Sequence, residues 1–75
     1  MRKIIQVRVY MGDKYYVAEC LDLPVVTRWK TLDEVVENIK EAIELHLEGE
    51  DLGELDIPRD FSILVSLEVP SYVKA

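Results

Sequence analysis

From Lys3 to Tyr10 apolar and polar residues alternate, with Ile5, Val7 and Val9 on one side of the chain and Ile4, Gln6, Arg8 and Tyr10 on the other. A period of two in β-branched residues predicts a strand. Met11-Gly12-Asp13-Lys14 supplies a turn, since Gly12 tolerates positive φ and Asp13 can bond its own backbone. Tyr15 to Cys20 is then a second strand, and the short link makes the pair a hairpin. Leu21-Asp22-Leu23-Pro24 interrupts the run, because Pro24 has no N–H for a ladder, and Val25 to Trp29 resumes it as a short third strand.

At Thr31 the period changes. Leu32, Val35, Val36, Ile39, Ala42, Ile43, His46 and Leu47 recur at helical spacing and form one apolar stripe. Thr31 and Glu34 have capping-box spacing, each able to satisfy an orphan N–H at the helix start. Gly49 suits the left-handed residue just past the end, so a helix is predicted over about 32–48. Residues 49–61 form an acidic loop closed by Ile57-Pro58. Ser62 to Val69 is a last strand, with Ile63, Val65, Leu67 and Val69 on one face, and Pro70 stops it.

Strand–strand–strand–helix–strand predicts a single α+β domain over residues 1–75, with a four-stranded sheet and one helix on one face. The meander brings the third strand parallel to the first, and the helix returns the chain. The last strand then adds beside the first, giving order 3-2-1-4 with a right-handed crossover as the default. Ile4, Gln6, Arg8, Tyr10, Tyr15, Val17, Leu64, Ser66 and Glu68 are expected on the uncovered face. Several are large and apolar, which suits a contact surface.

Size sharpens that expectation. A domain of 75 residues buries only about 60–65% of its unfolded surface and is marginal alone. Small domains gain stability from disulfides, metals or self-association. One cysteine, Cys20, and one histidine, His46, leave self-association as the remaining route, with Tyr10, Tyr15 and Val17 as its candidate contacts and no metal or cofactor expected. No stretch has the roughly 18 apolar residues of a membrane span. No secretory segment follows Met1, and the unpaired thiol agrees with a cytoplasmic setting.

Charge divides the chain. Residues 1–30 carry six basic and three acidic groups, whereas residues 31–60 carry two basic and eleven acidic groups; the whole has a net charge of -6. That balance counts against direct nucleic-acid binding, which clustered Lys and Arg provide. The acidic run Glu37, Glu41, Glu44, Glu48, Glu50, Asp51, Glu54 and Asp56 has two readings. It is a solvated face, or it steers the protein toward a basic partner. Like-charge neighbours at helical spacing are slightly destabilising. Trp29 is either a core aromatic near the helix start or an interface anchor.

Catalysis finds little support. Asp13, Glu19 and Asp22 are the acids nearest the meander, but Asp13 and Asp22 flank opposite ends of the second strand, too far apart for one metal site. Cys20 and His46 sit in no nucleophile motif; a packed thiol and a half-buried imidazole near the helix C-terminus account for them.

Tyr15-Tyr16-Val17-Ala18-Glu19-Cys20-Leu21-Asp22-Leu23-Pro24, with Thr31-Leu32-Asp33-Glu34-Val35 and Asn38-Ile39-Lys40-Glu41-Ala42-Ile43-Glu44-Leu45, resembles the HicB family, the antitoxins of HicA–HicB toxin–antitoxin pairs. The likeness runs from about Tyr15 to Leu47, and Ile57-Pro58 echoes the family's loop. Val25 follows Pro24 where the family usually has glycine, and Trp29 stands near the place of a second glycine. The resemblance implies a partial ribonuclease-H-like fold. It also implies a non-catalytic role: masking a small basic toxin that cleaves RNA. The family's C-terminal DNA-binding segment has no counterpart among these residues, so no separate DNA-binding domain is expected. Trp29, Glu41, Glu44 and Glu48 are the candidate partner contacts, and the protein is expected to be a dimer or tetramer. The alternative is an orphan oligomeric domain, or a small-molecule sensor, without a toxin.

Overall fold

A computed structural model describes residues 3–50, 54 and 57–74. Four strands and one helix follow in the predicted order: β1 (Ile4–Met11), β2 (Tyr16–Cys20), β3 (Val26–Trp29), α1 (Leu32–Leu47) and β4 (Ser62–Leu67). The sheet order is β3-β2-β1-β4. β1 pairs antiparallel with β2, with Arg8 opposite Glu19. β2 pairs antiparallel with β3, with Ala18 opposite Thr27, and β4 runs parallel to β1, with Val7 opposite Val65.

The hairpin closes through Gly12 N–H donating to the Tyr15 carbonyl at 2.8 Å. Gly12 does not adopt the left-handed conformation expected of it. Its lack of a side chain matters for space, since a Cβ there would lie 3.2 Å from the Tyr15 oxygen. Gly49 does take that conformation, with φ of 85°. Glu48 before it has φ -65° and ψ 125°, and Glu50 N–H donates to the Leu47 carbonyl at 3.1 Å. These angles are those of a type II turn, which requires positive φ at its third residue and ends α1.

The core lies between sheet and helix. Ile5, Val7 and Val9 of β1 and Ala18 and Cys20 of β2 meet Val35, Ile39, Ile43 and Leu47 of α1, with Val25 and Ile57 closing the ends. Among the described residues no polar or charged residue is buried with them. At atom level the Thr27 hydroxyl, on the helix side of β3, is buried without a hydrogen-bond partner.

Burial on the helix side of the sheet is uneven across the four strands. The helix packs closest to β3 and β2, and Ile5, Val7 and Val9 of β1 are buried in the same core. Ile63 and Val65 of β4 are only half-buried, while Leu67 and Val69 are exposed. A helix about 10 Å across spans roughly two strands spaced ~4.8 Å apart, not four.

Candidate protein-interaction surfaces

The first turn of α1 sets the geometry of one surface. Thr31 caps the helix by accepting from Glu34 N–H at 3.3 Å, and its hydroxyl donates to Glu34 Oε1 at 2.9 Å. The Glu34 carboxylate does not turn back to the Thr31 N–H, as a capping box would have it. Its second oxygen accepts from the Trp29 indole Nε1 instead. Trp29 is therefore not a core residue. It is 44% exposed, with its N–H tied to the helix start.

Glu34 is also the first of five glutamates on one helix face. Positions 34, 37, 41, 44 and 48 are spaced three and four apart and all are exposed. They stand opposite Val35, Ile39, Ile43 and Leu47, which are buried. At 1.5 Å per residue the stripe runs about 21 Å. Lys40 reaches Glu37 at 3.9 Å. Among the described residues Glu41, Glu44 and Glu48 have no ion-pair partner. Leu45 stands beside them, 67% exposed. The structure thus joins Trp29, Glu41, Glu44 and Glu48 on one surface and adds Glu34, Glu37 and Leu45. The three-and-four spacing of the glutamates was the signal for the first two. The exposure of Leu45 was legible too, as a leucine off the apolar stripe. Asp51 and Asp56 lie outside the described residues.

The opposite face of the sheet carries Ile4, Gln6, Arg8, Tyr10, Val17, Leu64 and Ser66, as alternation placed them. Val26 and Arg28 of β3 join them. Arg8 bonds its cross-strand partner Glu19 at 3.2 Å and stacks over the Tyr10 ring at 4.8 Å. Glu19 is therefore a sheet-surface ion-pair partner. Tyr10 and Val17 are half-buried neighbours across β1 and β2. Tyr15 stands apart from them at the hairpin end. There, with Arg28, Trp29 and Lys30, it lines an open notch of about 400 Å³, and an adjoining notch of about 280 Å³ is lined by Asp13, Lys14, Tyr15 and Arg28.

Asp22 has a structural part that spacing did not reveal. Past the end of β2 the Leu21 N–H donates to the Gln6 carbonyl at 2.9 Å, and the Asp22 carboxylate accepts from the Gln6 N–H at 2.9 Å. The side chain substitutes for the missing strand acceptor. Asp13 hence lies in the hairpin turn, Glu19 in a cross-strand pair and Asp22 at a ladder end. Among the described residues no group of three or more His, Cys, Asp or Glu is placed to hold a metal ion. Cys20 is buried in the aliphatic core, and His46 is half-buried in the last turn of α1. No described helix is long and apolar enough to cross a membrane. No family model, curated protein or solved structure matches the chain.

Proposed function

We propose that this chain is a non-catalytic binding protein of the HicB antitoxin type, with the helix face of α1 as the surface that takes a small basic partner. The observation that carries the reading is the glutamate stripe, in which Glu41, Glu44 and Glu48 have no ion-pair partner among the described residues. Three unpaired carboxylates on one side of a helix, around an exposed leucine, offer long-range attraction and an apolar contact together. Trp29, held by Glu34 at the head of the stripe, adds an aromatic edge. The resemblance to HicB, partial ribonuclease-H-like architecture included, supplies the identity of the partner: a basic ribonuclease toxin whose RNA-binding surface is masked. A cytoplasmic setting agrees with the free thiol.

The test is to express the chain with any small basic protein encoded beside it. The pair should co-purify, and RNA cleavage by the basic protein should stop on addition of this chain. A basic neighbour that neither binds nor is inhibited contradicts the reading. A second reading rests on the notch between Tyr15, Arg28, Trp29 and Lys30. Two aromatics beside two cations suit a planar anion, as a small-molecule sensor without a toxin would need.

A further inference from the structure

β4 is an edge strand with nothing on its outer side among the described residues. The N–H groups of Ser62 and Glu68 donate inward to Lys3 and Val9 of the β1 side, at 3.0 and 2.8 Å. By the alternation of a strand, the N–H and C=O groups of Ile63, Val65 and Leu67 therefore point outward. Edge strands in monomers are blunted by charge, proline or a bulge. Ser62-Ile63-Leu64-Val65-Ser66-Leu67 contains no charge and no proline, and its helix-side residues lack the cover of α1.

The segment that follows is equally unpartnered. Residues 69–74 are exposed throughout. Leu64, Leu67, Val69, Tyr72 and Val73 are 52, 47, 69, 85 and 91% exposed. At ordinary residue areas they hold roughly 600 Å² per copy, most of the ~800 Å² that each partner gives to a stable interface.

We infer that a second copy of this chain covers the edge, β4 pairing with β4 antiparallel about a two-fold axis at Val65. The ladder from Ser62 to Glu68 has Val65 at its centre, so this register lets all three outward-pointing residues exchange backbone hydrogen bonds. Ile63 meets Leu67 of the second copy, and the two sheets become one of eight strands. The segment after β4 then runs along the residues before β4 in the other copy. Val69 falls opposite Phe61 and Tyr72 opposite Pro58, apolar against apolar in both cases. The contact is isologous and closes as a dimer.

Light scattering at micromolar concentration should give twice the 8.7 kDa chain mass. Leu67→Pro removes an outward donor without touching the β1 ladder, and Leu67→Lys places a charge on the edge. Each should halve the mass while far-ultraviolet circular dichroism stays unchanged. In hydrogen exchange the Ile63, Val65 and Leu67 amides should slow as concentration rises. A monomer at these concentrations overturns the inference. So does a dimer that survives both Leu67 variants or leaves those amides fast. Dissociation by Val17→Lys alone would place the contact on the open sheet face and equally overturn it.

Discussion

At one edge of the sheet, β3 is four residues long, carries Arg28 and is preceded by Pro24. At the other, β4 runs six residues without charge or proline. The faces differ in the same direction. Beneath α1, residues of β1 and β2 such as Ile5, Val9 and Ala18 are fully buried, whereas Leu67 on the same side of β4 is half-exposed. One half of the molecule is thus finished as a monomer, and the other half retains an open edge and uncovered aliphatic side chains. Surface charge follows the division, since the unpaired glutamates line the helix that covers the finished half. The two proposed contacts, with a basic partner and with a second copy, fall on separate surfaces.

Breaking the finished half should cost most. Ile43→Ala removes a fully buried side chain from between α1 and the sheet, and urea unfolding should show a loss of about 2–5 kcal/mol. Leu67→Ala, measured at a dilution that favours the monomer, should lose less than ~1 kcal/mol, as exposed positions do. Equal losses at the two sites would remove the distinction between the halves. A loss between these two is expected at the end of the β1–β2 ladder, where Asp22→Ala leaves the Gln6 N–H to water. The loss should be about 1 kcal/mol, with faster amide exchange at Gln6. The smallest effect should have the opposite sign. Thr27→Val replaces a buried, unpartnered hydroxyl with a methyl group, and thermal unfolding should show a gain of up to about 1 kcal/mol.

Strand order and the helix were legible because each element has an unmixed period and a marked end. Thr31 and Gly49 bound α1, and Pro24 separates β2 from β3. Sheet coverage was less legible. Ile63, Val65, Leu67 and Val69 have the same alternation as Ile5, Val7 and Val9, and periodicity states which side a residue takes, not what lies above it. The width of a helix against that of four strands decides this, and it leaves β4 outside. The roles of Glu34 and Asp22 were hidden for a related reason. Each carboxylate serves a group brought close by folding: the Trp29 indole in one case, the Gln6 N–H sixteen residues away in the other.

The division of surfaces is tested most directly by the association rate with the proposed partner, any small basic protein encoded beside this chain, measured over a range of ionic strength. For the native protein the rate should fall as salt screens the stripe. Reversal of Glu41, Glu44 and Glu48 to Lys should leave folding stability little changed. It should slow association at low salt and abolish or invert the salt dependence. Leu67→Lys should reproduce the native slope. A triple reversal that keeps the native slope, with Leu67→Lys losing it, would contradict the account.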